Sequence, residues 1–207
     1  IFFDNPIGRA YLNYYRNNNI SNLKIKYLIK KKIFLPIKIN TTLDYYKRYS
    51  IVLKYLKDKN IISLIHQIED FFNLDRNFIS SMYDSDLLGN FNNIEYIDTQ
   101  NVNSKKMINI ISNSNENDFY LNTTNQIYKE ILKKNKFFIH IHPGFLPNVK
   151  GADGSLHSID KHNHLGVSSF LIEKKIDEGK IIMREKLSLP KLNFLNMKDY
   201  KVNELYR

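Results

Sequence analysis

Residues 137–184 contain three short apolar runs separated by polar turns and read FFIHIHPGFLPNVKGADGSLHSIDKHNHLGVSSFLIEKKIDEGKIIMR. The first run, residues 137–141, has the length and β-branched character of a buried strand and is followed by Pro143-Gly144. Side chains alternate between the two faces of a strand, so His140 and His142 are predicted to point to the same side near its carboxyl end. This part of the chain therefore predicts two histidines that face one site.

The second and third apolar runs predict a strand, a tight loop and a further strand. They cover residues 167–172 and 181–183, and the sequence Ile176-Asp177-Glu178-Gly179 lies between them. The glycine is typical of a tight turn. The pattern therefore predicts that the loop places the carboxylate of Asp177 at the end of a strand.

The order of these motifs resembles the formyltransferases that use 10-formyltetrahydrofolate, a family that includes methionyl-tRNA, glycinamide ribonucleotide and sugar-nucleotide formyltransferases. The similar positions are His140 to Gly144, Leu146-Pro147, Lys150-Gly151, Gly166-Val167 and Ile176 to Gly179. They cover roughly the last third of the chain. Where the family has its catalytic asparagine this chain has His140, so the resemblance implies the fold more firmly than the activity.

The resemblance implies a catalytic set of His140, His142 and Asp177. Formyl transfer needs a group that stabilises an oxyanion, a group that takes a proton from the attacking amine, and a site that holds both substrates. His142 would be the acid/base group or an oxyanion donor, and Asp177 would fix its tautomer and favour its protonated form. A neutral imidazole at position 140 offers one N–H donor where an amide offers two, and each histidine would depress the pKa of the other.

The resemblance also implies ligand contacts. The candidate contacts to the formyl donor are Asn122, Thr123, Thr124, Glu178 and Gly179, of which the first three fit a helix cap equally well. The candidate contacts to the acceptor are Gly144, Phe145, Lys150 and Asp153. Lys150 suits an anionic group and Asp153 a positively charged amine, and the alternative is an exposed crossover loop with ordinary charges.

The whole pattern predicts an α/β fold, a Rossmann-like and mostly parallel sheet with flanking helices. Ile1-Phe2-Phe3 is predicted to be a central strand before a helix, and residues 23–29 a second strand. Residues 41–82 repeat apolar side chains every three or four positions, which predicts two extra helices divided near residues 58–60, with Thr41 or Thr42 as a cap. Further predicted elements are a strand at 94–97, a helix capped by Asn103 or Ser104 that ends at 111, a strand at 119–121 and a helix at 127–132.

A chain of 207 residues is expected to form a single domain, 1–207. Its N-terminal half would cover about 1–100 and the motif-bearing half about 101–190. The tail, 191–207, is predicted to be a helix or a dimer contact.

The chain has 31 Lys and Arg against 21 Asp and Glu, a net charge of +10 that favours anionic partners. The cations are scattered, so a solvated surface is favoured over a nucleic-acid site. The absence of cysteine excludes disulfides, thiolate catalysis and thiolate zinc sites. No apolar run reaches the roughly 20 residues of a membrane span, no signal peptide is visible, and we expect a cytoplasmic protein.

Five of the six histidines lie between residues 140 and 164, which raises a zinc site as an alternative. We expect His157, His162 and His164 in a polar connecting segment that does not fix their direction, and therefore no metal.

The predicted function is transfer of a formyl group from 10-formyltetrahydrofolate to a small amine that is phosphorylated or nucleotide-linked, such as an amino sugar. The alternatives are a hydrolase of the same donor and a folate- or nucleotide-binding module with altered or lost activity.

Overall fold

The computed structural model describes residues 1–20, 23–29, 37–134 and 136–191, with residues 37–41 and 44 described by their backbone only. Its strands are β1 (Ile25–Ile29), β2 (Ile94–Asp98), β3 (Phe119–Leu121), β4 (Phe137–His142), β5 (Leu165–Leu171) and β6 (Ile181–Leu187). Its α-helices are α1 (Pro6–Asn17), α2 (Ile37–Tyr55), α3 (Lys59–Phe71), α4 (Phe78–Ser81), α5 (Lys105–Ser112) and α6 (Gly154–His162). Short 3-10 helices cover Leu87–Asn90 and Glu130–Lys134.

The first residues of the chain join two groups of strands into one sheet. The Phe2 N–H donates to the Lys26 carbonyl at 2.8 Å, and the Thr123 N–H donates to the Ile1 carbonyl at 3.3 Å. Residues 1–3 therefore lie between β1 and β3. β2 and β1 form a two-stranded group and β3, β4, β5 and β6 a four-stranded group, each in this order. Residues 1–3 link the two groups through a bridge between Phe2 and Tyr27 and a hydrogen bond from the Ile1 ammonium to the Leu121 carbonyl. The predicted central strand at residues 1–3 is therefore a single bridge at Phe2, although its position between the two groups is as predicted.

The sheet is parallel from β2 to β4 and ends in an antiparallel edge. β1 pairs with β2 and β3 pairs with β4 in parallel, whereas β4 with β5 and β5 with β6 are antiparallel. An antiparallel edge on a parallel sheet is common in α/β proteins. The fold is therefore α/β with a mostly parallel sheet and flanking helices, as predicted.

Helix caps follow the short polar residues of the sequence. The side chain of Asn5 accepts the Gly8 N–H at the start of α1, Asp58 caps α3, and Ser104 accepts the Met107 N–H at the start of α5. The main core lies between α5 and the sheet and is built from Leu28, Ile97, Val102, Met107, Ile111, Tyr120, Tyr128, Ile131 and Phe138. Burial of this apolar surface is the main force that holds the helices on the sheet.

Several predicted boundaries are wrong. α2 begins at Ile37, so Thr41 and Thr42 lie inside the helix and do not cap it. The helix predicted at 127–132 is a 3-10 helix at Glu130–Lys134. His157 and His162 lie on α6, where the sequence suggested a polar connection, because only two large apolar residues, Leu156 and Ile159, mark that helix in the sequence.

The predicted tail lies outside the described residues after Lys191. Among the described helices, none has both the length and the apolar character that crossing a bilayer requires.

Candidate functional site

A cavity of about 430 Å³ lies beside the carboxyl end of β4. This volume falls in the usual range of small-molecule sites, about 300–1,000 Å³. Seven of the predicted site residues line it: Asn122, Thr123, Thr124, His140, His142, Asp153 and Asp177. The cavity therefore gathers side chains from four separate parts of the chain.

Strand β4 brings the two histidines to the cavity. Their ring centroids are 6.5 Å apart, as expected for side chains two positions apart on one face of a strand. The ring of His140 packs edge-on against Phe170, its partner across the sheet, with centroids 5.7 Å apart. His142 is only 2% exposed.

The ring of His142 is held by a backbone carbonyl. Its Nε2 lies 2.9 Å from the carbonyl oxygen of Val149. A carbonyl oxygen only accepts hydrogen bonds, so Nε2 carries the hydrogen. The Nδ1 atom lies 3.9 Å from Oδ2 of Asp177, which is longer than a hydrogen bond but close enough for attraction between opposite charges. Val149 thus fixes the tautomer, a task that the sequence had suggested for Asp177.

The loop at residues 172–180 carries Asp177 back toward His142. β5 runs antiparallel to β4, so its last residue, Leu171, pairs with Ile139 rather than with the end of β4. The predicted tight loop is therefore a longer one that returns along the sheet. Oδ2 of Asp177 accepts the Gly151 N–H at 2.7 Å, and this bond holds the carboxylate near the cavity.

Burial lowers the pKa of His140 below its ordinary value of 6.5, and the positive charge of His142 lowers it further. The carboxylate of Asp177 and the backbone carbonyl of Asn122 act in the opposite direction and are outweighed. His140 is therefore neutral near pH 7.

The segment 122–124 forms the wall next to His140. Oδ1 of Asn122 accepts hydrogen bonds from the N–H and the hydroxyl of Thr124 and from the hydroxyl of Tyr128. The Thr123 hydroxyl donates to the Ile1 carbonyl at 2.9 Å. These side chains are buried and use their polar atoms to shape the wall as well as to line the cavity.

Five predicted contact residues lie outside the cavity lining: Gly144, Phe145, Lys150, Glu178 and Gly179. The ring of Phe145 packs against the guanidinium of Arg184, 4.7 Å from the ring centroid. The Lys150 ammonium lies 2.9 Å from the Glu178 carboxylate, and this hydrogen bond and charge, with a further contribution from Lys175, lower the pKa of Glu178. Two exposed loops are therefore joined here by one pair of oppositely charged side chains.

The sequence did not point to Ser168, which holds the loop after β4. Its hydroxyl donates to the Gly144 carbonyl at 2.7 Å and accepts the Leu146 N–H at 2.9 Å. The available signal was a small polar residue two positions from Phe170, on the inward face of β5. Nothing in the sequence marks the carbonyl of Val149, because every residue has a backbone carbonyl.

Across residues 1–20, 23–29, 37–134 and 136–191, no group of three or more His, Asp or Glu side chains is placed to hold a metal ion. His162 and His164 stack on each other, with ring centroids 5.6 Å apart.

No protein-family model and no curated protein matches the chain. Solved structures that resemble it include a phosphoribosylglycinamide formyltransferase from Campylobacter jejuni, 26% identical over 37% of this chain with a TM-score of 0.33. A sugar N-formyltransferase from a Shewanella species is 23% identical over 64% of the chain, with a TM-score of 0.40. A phosphoribosylglycinamide formyltransferase from Streptococcus pneumoniae is 14% identical over 72% of the chain, also with a TM-score of 0.40. The matched part spans 42%, 55% and 82% of those proteins, in the same order. Because these TM-scores are low, the assignment of the α/β fold rests on the strands and helices described above, and membership of a family does not follow from the likeness.

Proposed function

We propose that this protein is an N-formyltransferase that moves a formyl group from 10-formyltetrahydrofolate to a small amine, with a nucleotide-linked amino sugar as the candidate acceptor. One observation carries the proposal: His140, His142 and Asp177 come from two separate segments and line one cavity of small-molecule size. The order of the motifs between residues 140 and 179 supports it.

The proposed roles follow from the hydrogen bonds of each group. Val149 occupies Nε2 of His142, so Nδ1 is the nitrogen left to exchange a proton. His142 takes the proton that the attacking amine loses as it bonds to the formyl carbon. It returns that proton to the donor nitrogen when the bond between this nitrogen and the formyl carbon breaks. Asp177, 3.9 Å away, stabilises the imidazolium in between.

His140 acts on the formyl oxygen in this proposal. Attack by the amine moves the electron pair of the C=O bond onto oxygen, and an N–H of His140 donates to it as negative charge develops. Loss of one such donor typically costs about 2.7–4 kcal/mol of barrier height. A neutral imidazole offers this hydrogen bond without placing a second positive charge next to His142.

Residues 122–124 and the loop that contains Asp177 would hold the formyl donor, which supplies a formyl group on an aromatic amine nitrogen. Asp153 lies on the wall of the same cavity and would attract the amine of the acceptor. These contacts bring the two substrates together, which is a large part of the rate gain in bimolecular group transfer.

A second candidate is a folate- or nucleotide-binding protein without transferase activity. The observation that favours it is the short bond from Asp177 to the Gly151 N–H, 2.7 Å, beside the longer distance of 3.9 Å to His142. Asp177 would then hold two loops together without acting on a substrate.

The test is a transfer assay with purified full chain, 10-formyltetrahydrofolate and a panel of amines. We expect formylated amine and tetrahydrofolate in equal amounts. Asp177→Asn keeps an oxygen for the Gly151 N–H but removes the charge, and we expect kcat to fall about 100-fold. The control is Glu185→Gln, which removes an exposed carboxylate on β6, outside the cavity lining and outside the loops that would hold the substrates, and should leave kcat unchanged.

The other results separate the alternatives. Consumption of the donor without a formylated amine would identify a hydrolase. Folate binding without turnover would support the binding protein, and a gain of activity in His140→Asn would then mean that the chemistry was lost. If the unmodified protein does transfer the formyl group, loss of that activity in His140→Asn would mean that His140 is an adapted catalyst. The absence of both formyl transfer and folate binding would overturn the proposal.

A further inference from the structure

We propose that Asn122 is a positioning residue that fixes neutral His140 with its hydrogen on Nε2, so that His140 serves the cavity as a hydrogen-bond donor and not as a base. The placement of the hydrogen follows from the contacts of these two residues alone. Its consequence for catalysis rests on the formyl transfer proposed above.

The first step of the argument is the orientation of the Asn122 amide. Its Oδ1 lies 2.8 Å from the backbone nitrogen of Thr124, 2.9 Å from the Thr124 hydroxyl and 3.0 Å from the Tyr128 hydroxyl. The backbone N–H can only donate, so the atom facing it must be the oxygen. Asn122 is 5% exposed and Tyr128 4%, so water would not compensate for a flipped amide, which would set its NH₂ against this N–H.

The second step is the contact between this amide and the ring. With Oδ1 committed, the NH₂ group of Asn122 faces Nδ1 of His140 at 3.4 Å, a long hydrogen bond. An amide nitrogen offers only hydrogens, so Nδ1 must present its lone pair. The single hydrogen of the neutral ring then lies on Nε2.

One other group acts on the hydrogen of the His140 ring, the backbone carbonyl of Asn122. The backbone carbonyl of Asn122 attracts a ring N–H of His140 and favours the charged imidazolium. Burial and the nearby His142 act more strongly in the other direction, and the pKa of His140 is lowered. The ring is therefore neutral near pH 7 and holds a single hydrogen. The hydrogen bond that the described residues form to this ring is the one from the NH₂ group of Asn122 to Nδ1, and this bond sets which nitrogen holds the hydrogen.

The consequence is a division of labour between the two histidines. His140 has its lone pair engaged by Asn122, so it donates through Nε2–H and is a poor base. His142 has its Nε2–H engaged by Val149, and its Nδ1 is the nitrogen that can take a proton. His140 thus donates the hydrogen bond that an amide would otherwise donate, and His142 performs the proton transfer.

The experiment uses the full chain with ¹⁵N in the histidine rings and two-bond ¹H–¹⁵N correlation spectra, which distinguish a protonated from an unprotonated ring nitrogen. His140→Asn assigns the His140 signals by their loss. We expect unprotonated Nδ1 and protonated Nε2 in the unmodified protein at about pH 7.5, above the ordinary histidine pKa.

Asn122→Asp tests the cause. It replaces the NH₂ donor with a carboxylate oxygen, so the hydrogen should move to Nδ1, the pKa of His140 should rise, and kcat for transfer should fall by about tenfold or more while KM for the donor changes less. The matched control is Asn125→Asp, which adds the same charge at an exposed position of the same loop. It should leave the hydrogen on Nε2.

Protonated Nδ1 in the unmodified protein would overturn the inference, as would an Asn122→Asp variant whose hydrogen stays on Nε2. If that variant does not fold, the spectrum of the unmodified protein still decides. Absence of transfer with the hydrogen found on Nε2 would refute the proposed function alone. Transfer with the hydrogen on Nδ1 would refute this inference alone.

Discussion

At the scale of single residues, burial decides the charge of His140. The lowered pKa means that the folded protein binds a proton on this ring more weakly than the unfolded chain, whose histidine titrates near 6.5. Below that pH the unfolded state therefore holds more protons, and stability rises with pH. The contribution of His140 is fully present above the unfolded pKa and is lost as the pH falls from about 6.5 toward the lowered pKa of the folded state.

This linkage predicts a difference between variants. We expect the free energy of unfolding to fall less steeply between about pH 7 and about pH 5 in His140→Asn than in the unmodified protein, since the titrating group is gone. His157→Asn, an exposed change on α6, should retain the steeper fall. Urea titrations at several pH values measure both. Equal slopes in the unmodified protein and in His140→Asn would show that folding leaves the proton affinity of His140 unchanged.

Patterns in the sequence were enough to predict part of the candidate site. Alternation along β4 was enough to place His140 and His142 on one face. The pairing of Lys150 with Glu178, 28 positions apart, depends on two loops that meet only after the sheet has formed. The acceptor on the ring of His142 is a backbone carbonyl, and which carbonyl is available depends on the path of the loop and not on the identity of Val149.

At the scale of elements, two loops beside the cavity each depend on a glycine, Gly179 in the connection between β5 and β6 and Gly151 in the connection between β4 and α6. Gly179 crosses the end of β5 so closely that a Cβ there would overlap the carbonyl oxygen of Leu171. Gly151 lies in open space but has a φ of +87°, which L side chains rarely adopt. The first glycine is required by space and the second by backbone conformation.

These two causes predict different results for the same substitution. Gly151→Ala should cost about 1–2 kcal/mol through backbone strain and change kcat modestly. Gly179→Ala must displace the loop, so we expect a loss of about 1–3 kcal/mol or more, together with a larger fall in kcat because Asp177 moves with the loop. Thermal unfolding and the transfer assay compare the pair. A kcat in Gly179→Ala no lower than that in Gly151→Ala would contradict the role of the loop in placing Asp177.

Element type was more predictable than element direction. Apolar alternation and polar caps located the strands and most helices, including the division at Asp58 and the cap at Ser104. A period of two is the same in parallel and antiparallel strands, so the reversal of β5 left no mark in the sequence. α6 was missed because a nine-residue helix with few apolar side chains has almost no periodic signal.

At the scale of the whole molecule, one buried ion pair joins the sheet to the helical segment that follows β1. Nε of Arg9 lies 2.6 Å from Oδ1 of Asp4, and both side chains are almost fully buried. Nη1 of Arg9 donates to the carbonyls of Met82 and Asp84, and the guanidinium lies 4.7 Å and 4.9 Å from the ring centroids of Tyr45 and Tyr49. A single side chain of α1 thus contacts α2 and the segment after α4.

Removal of one member of a buried pair leaves the other charge without compensation, which typically costs about 3–5 kcal/mol. We therefore expect Arg9→Met to lose about this much stability in urea unfolding, although methionine preserves part of the apolar volume. Arg76→Met is the matched control, because the Arg76–Asp70 pair at 2.8 Å is half exposed or more on both sides and should contribute less than about 1 kcal/mol. Asp4→Leu combined with Arg9→Met should recover part of the loss, since no unpaired charge remains. If Arg9→Met lost no more stability than Arg76→Met, apolar packing alone would hold the helical segment to the sheet. The polar contacts of Arg9 would then add no stability to this contact.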